Sequence, residues 1–298
     1  MLTSRAARLT RLASELLPVS TASAGTALPA AFSRPLMMVL LLGVCGVASC
    51  GPAEPSATPP PAFSDEQQSR AEYDVARDLW LNRHSPREAL EHALKAAELD
   101  SEHAEAAHLV ALLYLDFCRV NSHECRLQEA ENYARQAAEL ELREAKNTLG
   151  VILIHQRRYD DAIAVLKLLT DDILYRTPEN AWGNLGWAYL EKGQADPAIA
   201  ALQRSVAAQP SFCVGHFRLG VAFERKRTLL AALQAYNRAL DPHSGACQGL
   251  QEAYAGRARV LQKLNRGEEA RKDLLKCVQL DKTTPAGREC AVLLADPK

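Results

Sequence analysis

The sequence predicts an all-α protein: a right-handed solenoid of about six repeated helix pairs, closed by a C-terminal capping helix. Two segments share one spacing, Trp182-x-x-Leu185-Gly186-x-x-Tyr189 and His216-x-x-Leu219-Gly220-x-x-Phe223. Only 6% of the residues are aromatic and 48% are apolar, a balance that suits packed helices. Six alanines recur at separations of 41, 32, 36, 34 and 38 residues: Ala89, Ala130, Ala162, Ala198, Ala232 and Ala270.

A period near 34 with this pattern is the tetratricopeptide signature, in which two antiparallel helices interlock through small residues. Glycine or alanine is needed where the helices touch, because a larger side chain would push them apart. Each unit buries its apolar face only by stacking on its neighbours, which leaves an extended concave surface along the array. The pattern therefore favours partner binding over catalysis.

The repeats can be followed along the chain in order. Ser64-Asp65-Glu66-Gln67 has the spacing of a helix capping box, so the first helix is expected to start there. The second repeat carries an insertion between its helices, from Asp116 to Arg126. A short helix from Pro285 to Leu294 is expected to cover the open end of the stack. The predicted units are 66–103, 104–142, 143–178, the two quoted above, and 251–284.

The N-terminal region has the order of a secretory signal. Arg34 precedes the apolar run from Leu36 to Val44, and Val47-Ala48-Ser49-Cys50 follows. This ending resembles the bacterial lipoprotein signal, in which the cysteine is acylated and becomes the mature N-terminus. We therefore expect a signal region at 1–49, either unusually long or read from an over-extended start codon, and lipid attachment at Cys50. A Pro-rich tether at 50–64 and a repeat domain at 65–298 would follow.

Composition and motifs exclude several classes of function. The formal charge of −1 gives no basic face for nucleic acid. Residues 1–49 carry +3 from four arginines and one glutamate, so the remainder carries −4. No nucleophile elbow, phosphate loop, zinc-protease motif or dinucleotide fingerprint is present. We expect no enzymatic activity, cofactor, metal or small-molecule substrate.

Six cysteines follow Cys45 and Cys50, and an even number in an exported chain favours disulfides. The repeat map predicts the pairs Cys118–Cys125, Cys213–Cys247 and Cys277–Cys290. The first pair brackets the insertion, the second joins neighbouring helix starts, and the third pins the cap. Buried unpaired thiols are the alternative. A zinc site of Cys118, His123 and Cys125 would lack a fourth ligand.

The segment from Arg158 to Gly193 departs from the plain period at Asp172-Ile-Leu-Tyr175, between the third and fourth repeats. This junction resembles that of the type IV pilus pilotins, lipoproteins with six tetratricopeptide repeats. The resemblance implies a protein on the periplasmic face of the outer membrane that binds a secretin subunit and promotes its membrane insertion and multimerisation. The insertion in the second repeat and the three cysteine pairs depart from the plainer members of that family.

Two other classes of function remain open at this stage. One is a lipoprotein adapter for another envelope machine, such as outer-membrane protein insertion or cell-wall synthesis. The other is a surface lipoprotein with an adhesive or signalling role. Loss of secretin multimers on deletion of the gene would separate the pilus function from both.

The partner is expected to dock on the inner face of the array. The first helix of each repeat should line this face, through the position after the small residue and the position three further on. A weaker alternative places docking on the first repeat, near Trp80 and the lipid. The predicted docking residues are Leu112, Leu115, Val151, Ile154, Trp187, Leu190 and Val221.

Overall fold

A computed structural model describes residues 63–120, 124–241 and 249–295 of the 298-residue chain. These residues form thirteen α-helices and no β-strand. The helices are α1 Asp65–Leu81, α2 Pro86–Leu99, α3 Ala104–Val120, α4 Leu127–Glu139, α5 Arg143–His155, α6 Tyr159–Thr170, α7 Pro178–Glu191, α8 Ala195–Ala208, α9 Cys213–Arg225, α10 Leu229–Ala239, α11 Gln251–Lys263, α12 Gly267–Leu280 and α13 Pro285–Ala295.

The helices pack as six consecutive antiparallel pairs, and α13 covers the last pair. The predicted solenoid of six repeats with a C-terminal cap is confirmed. Small residues are required inside the pairs: a Cβ added at Gly150 would lie 2.6 Å from Leu166 Cγ, and one at Gly186 would lie 2.5 Å from Leu202 Cγ. The recurring glycine therefore lets the second helix of a repeat approach the first closely.

The first helix begins as the capping-box spacing predicts. The backbone N–H of Gln67 donates to Ser64 Oγ at 3.2 Å, and the Ser64 N–H donates to Gln67 Oε1 at 3.1 Å. Asp65 and Glu66 lie in the first turn, where acidic side chains compensate the helix dipole. The sequence thus fixes the start of α1 locally, without help from tertiary packing.

One aromatic ring joins the fifth and sixth repeats. Tyr236 on α10 is fully buried, and it lies against Gly220 of its own repeat and Gly256 of the next. An added Cβ would come within 2.7 Å of the ring at Gly220 and within 2.5 Å of Tyr236 Cζ at Gly256. Both glycines are therefore needed to accommodate this ring.

The insertion in the second repeat differs from the expected loop. The helix α3 continues to Val120, so the first part of the insertion extends the helix, and the chain folds back afterwards to α4. The sulfurs of Cys118 and Cys125, which lie within the insertion, are 2.13 Å apart. Glu124 forms an ion pair with Arg87 at the start of α2, which ties the insertion to the first repeat.

Of the other cysteines, some lie within the described residues and some lie outside them. The sulfurs of Cys277 on α12 and Cys290 on α13 are 2.04 Å apart, so this pair joins the cap to the last repeat. Cys213 begins α9, and its expected partner Cys247 lies outside the described residues. Oxidation of the three pairs in the cell stays a prediction. Cys50, the signal region and residues 50–62 of the tether also lie outside the described residues.

The junction between the third and fourth repeats, residues 171–176, is a compact turn that we call the junction turn. Asp172 Oδ2 accepts from Arg143 Nε at 2.6 Å, and Asp172 Oδ1 accepts from the Leu174 N–H at 2.8 Å. Tyr175 is buried against Leu169 and the start of α7. The two residues between these anchors, Ile173 and Leu174, point outward and are exposed.

Candidate partner-binding surface

The inner face of the array is formed by the first helix of each repeat. In the described residues, each first helix contacts the first helix of the next repeat, and the last one contacts the cap. The series is α1, α3, α5, α7, α9, α11 and the cap α13. Second helices of successive repeats make no comparable contact. First helices therefore lie closer together than second helices do, which curves the stack and places the first helices on its concave side.

Five of the seven predicted docking residues are buried inside the array, so their prediction as exposed groove residues was wrong. Each is at most 8% exposed and packs into the apolar clusters between helices. The repeat period predicts the direction of these side chains but not the distance to the adjacent first helix. That distance is short enough for the adjacent helix to cover aliphatic side chains. The buried five are Leu112, Leu115, Val151, Ile154 and Leu190; Trp187 and Val221 remain partly exposed.

Trp187 is the centre of a surface built by three successive first helices. The ring of His155 on α5 meets the indole edge-on, with the centroids 5.3 Å apart and the planes at 83°. The guanidinium of Arg218 on α9 lies 4.7 Å from the indole centroid, within the range of a cation–π contact. We call His155, Trp187 and Arg218 the Trp187 platform. Its aromatic ring is already fixed before a partner arrives, which lowers the entropic cost of binding.

A buried row of polar side chains supports the platform. Arg218 NH1 donates to Asn184 Oδ1 at 2.9 Å, and Asn184 Nδ2 donates to Asn147 Oδ1 at 3.0 Å. Both asparagines are less than 8% exposed. Because a buried amide without a partner is costly, this chain of hydrogen bonds fixes the position of Arg218 over the indole. None of these three residues is among the docking residues predicted from the sequence.

Further along the inner face, the last two repeats carry a charged network. Glu224 on α9 accepts hydrogen bonds from Arg259 and Lys263 on α11, with distances of 3.2 and 2.8 Å, and from the Tyr236 hydroxyl at 3.1 Å. Burial raises the pKa of Glu224, but the hydrogen bonds from Arg259 and Lys263 outweigh it and keep the pKa below its usual value. Arg259 also reaches Glu289 on the cap at 2.6 Å. The charged side chains of this network are therefore paired with one another.

Trp80, near which the alternative docking surface was expected, does not lie on the surface of the first repeat. Trp80 is only 3% exposed and packs with Ala76, Ala93 and Leu113 in the core of the first two repeats. The surface beside α1 is instead a polar depression lined by charged residues, among them Glu66, Arg70 and His103. Tyr73 and Leu99 are the apolar members of its lining, and Trp80 offers no surface for docking.

The described residues contain no cluster of His, Cys, Asp and Glu side chains able to hold a metal ion. His123, one of the three residues of the zinc alternative, lies outside them. None of the helices in the described ranges is long and apolar enough to cross a membrane.

Two family models for tetratricopeptide repeats match the chain, one at residues 126–173 and 184–246, the other at residues 251–284. The matched segments cover most of the third to sixth repeats and part of the second. The helical array is therefore built of tetratricopeptide repeats, which typically act as protein-interaction modules and not as enzymes. The class of protein defined by this fold is a repeat scaffold of the kind that mediates protein–protein interactions.

Several known proteins share the array. PilF of Pseudomonas aeruginosa is 18% identical with a TM-score of 0.59, and 77% of this chain aligns with 99% of it. PilW, a widely conserved type IV pilus biogenesis factor, is 21% identical with a TM-score of 0.63, and 76% of this chain aligns with 99% of it. At these identities, the likeness shows the fold alone.

The curated relatives are much longer. Superkiller complex protein 3 of Mus musculus is 26% identical over 188 residues, which is 60% of this chain. The human protein of that name gives the same identity and extent. This chain spans 12% of the length of either protein, so the match indicates that they share a stretch of repeats and not a whole architecture.

Proposed function

We propose that this protein is a lipid-anchored outer-membrane scaffold that binds the secretin subunit of a type IV pilus machine and promotes its insertion and multimerisation. The observation that carries the proposal is the length of the alignment: the array aligns with 99% of the length of both PilF and PilW. The junction motif Asp172-Ile-Leu-Tyr175 supports the same family. The lipoprotein-like ending at Cys50 supports a position at the outer membrane.

The Trp187 platform is the docking site in this proposal. Its half-buried indole is flanked by a cation and an imidazole on three rigid helices. Tryptophan and arginine are the residues that most often dominate binding energy when an interface excludes water. An apolar side chain of the secretin segment would pack on the indole, and the charged groups along the inner face would orient that segment.

A pair of tryptophans on one helix allows a matched test of this site. Trp187→Ala removes the platform, whereas Trp182→Ala removes a half-buried indole that faces away from it, toward Arg204 on α8 at 5.0 Å. We expect Trp187→Ala to weaken binding to purified secretin subunits by at least about 30-fold, the equivalent of about 2 kcal/mol. Trp182→Ala should leave affinity unchanged. Trp187→Ala should also reduce heat-resistant secretin multimers in cells at equal protein level.

Two results would count against this proposal. Equal affinity of the two variants would remove the platform as the docking site. Normal secretin multimers in a strain lacking the protein would remove the pilus function and leave an adapter for another envelope machine as the alternative.

Lipid attachment at Cys50 has its own test. Two or more acyl chains give stable membrane attachment, whereas one is marginal. We expect the wild-type protein to fractionate with the outer membrane and to carry the added mass of its acyl chains, and Cys50→Ala to lose both. Unchanged fractionation of Cys50→Ala would contradict the anchor.

A further inference from the structure

The junction turn and the end of α6 present a cluster of exposed aliphatic side chains. Ile173 is 95% exposed, Leu168 75% and Leu174 65%, and all three lie within seven consecutive residues. Single exposed apolar residues are common on soluble surfaces, but a group of them marks a contact surface. The Trp187 platform does not use any of these residues.

The exposure is a fixed property of the turn. Asp172 and Tyr175 hold its two sides, and three backbone N–H groups of the turn are satisfied within the segment. Asp172 donates to the Leu169 carbonyl at 3.2 Å, Leu174 to Asp172 Oδ1 at 2.8 Å, and Tyr175 to the Asp172 carbonyl at 3.1 Å. A turn with internally paired backbone groups can leave water, because an unpaired group in an apolar medium costs several kcal/mol.

The charges around the turn favour an anionic surface over a neutral one. Lys167 and Arg176 flank the apolar residues, both are exposed, and neither has a carboxylate partner in the described parts of the chain. Asp172 is paired with Arg143. Asp171 is exposed and opposes them, so these three exposed residues together carry one net positive charge, while Glu144 and Glu179, near the buried Tyr175, are only partly exposed.

Shape and size distinguish a bilayer from a protein partner. A stable protein interface buries about 800 Å² on each partner, and three exposed side chains within seven residues fall short of that area. A bilayer needs no matching surface: each CH₂ group that enters it contributes about 0.8 kcal/mol. A protruding pair of aliphatic residues with flanking cations fits the boundary between headgroups and acyl chains.

We infer that the junction turn is a second membrane contact, in which Ile173 and Leu174 enter the bilayer surface and Lys167 and Arg176 face lipid phosphates. The inference rests on the proposed anchor at Cys50, which would keep the protein beside a membrane. The anchor alone leaves the array free to rotate. A second contact at the third repeat would fix its orientation and thus the direction in which the inner face opens.

Photo-crosslinking tests this contact directly. A benzophenone amino acid replaces Ile173 in the full chain, and a matched protein carries it at Leu230, which is 73% exposed on α10. Each purified protein is mixed with excess vesicles of phosphatidylcholine, with or without phosphatidylglycerol, and irradiated. We expect several-fold more lipid adduct at position 173 than at 230, and a further gain with phosphatidylglycerol that Lys167→Gln with Arg176→Gln abolishes.

Three results would overturn the inference. They are equal lipid adducts at the two positions, crosslinked dimers at 173 in place of lipid, and, in cells, adducts at 173 to another protein in place of lipid. Intact mass of the same preparations reports acylation of Cys50 separately. A missing acyl group would overturn the anchor, while the comparison of positions 173 and 230 would still decide the membrane contact.

Discussion

The inner face changes character between the middle repeats and the last two, although equivalent positions of the repeat line both. After the small residue of the first helix, the fourth repeat has Trp187 and the sixth has Arg259. Three residues further on, the fourth repeat has the buried Leu190 and the fifth has Glu224. The middle carries an exposed aromatic surface, whereas the end pairs its own charges. In the proposed function, one position of the repeat serves binding in one place and stability in another.

The largest effect is expected at Leu190, which lies one turn from Trp187 but is only 2% exposed. Leu190→Ala should lower the free energy of unfolding by about 2–5 kcal/mol, because it removes buried methyl groups and leaves a cavity. Leu190→Met should cost less than about 1.5 kcal/mol, since it keeps the volume. Denaturant titration followed by circular dichroism measures both losses. A loss below about 1 kcal/mol for Leu190→Ala would contradict the burial of Leu190 and would indicate that it is exposed in the groove.

An intermediate effect is expected at Glu224. Glu224→Gln keeps the shape but removes the carboxylate that Arg259 and Lys263 share, and Arg259 keeps only its pair with Glu289, so stability should fall by about 1–3 kcal/mol. Secretin affinity should stay at the wild-type value. The same titration and a binding assay check the two parts, and a stable variant with weakened binding would break the contrast between the two regions.

The smallest effect concerns His108 on α3, at the other end of the array. It is 5% exposed and its Nε2 lies 2.8 Å from Thr148 Oγ1 on α5. Burial lowers its pKa from 6.5 to about 4, so below pH 6.5 the unfolded chain takes up a proton that the folded chain refuses. Stability should therefore be lost as pH falls from 6.5 toward 4, by about 1–2 kcal/mol at pH 5.

The His108→Gln variant isolates that contribution, because glutamine does not titrate. Unfolding is measured at pH 7 and pH 5 for both proteins. The wild type should lose more stability between the two pH values than the variant does. An equal loss would show that carboxylates elsewhere account for the pH dependence.

The sequence predicts the fold well because the tetratricopeptide period is a packing rule. Gly150 and Gly186 leave room for Leu166 and Leu202, so their spacing reports helix contacts directly. The start at Asp65 follows from a local capping box, and the cap follows from the need to cover the last repeat. The length of α3 could not be predicted, because the insertion continues the helical pattern to Val120.

The docking surface was harder to predict, because exposure depends on the distance between neighbouring repeats. Val151 and Ile154 point the expected way but are covered by adjacent helices. Asn147, Asn184 and Arg218 lie on the first helices of three successive repeats, but they share neither one residue type nor one position relative to the small residue of the repeat. Their hydrogen-bonded row was not foreseen, since it requires the three helices in register.

Tyr236 has a consequence for how such an array can change over evolutionary time. Repeat proteins gain length by duplicating a unit and inserting the copy between two others. A copy placed between the fifth and sixth repeats would separate this ring from Gly256 and Glu224 from Arg259. A copy inserted there would have to restore both contacts, so the final two repeats and their cap are expected to be retained as one segment.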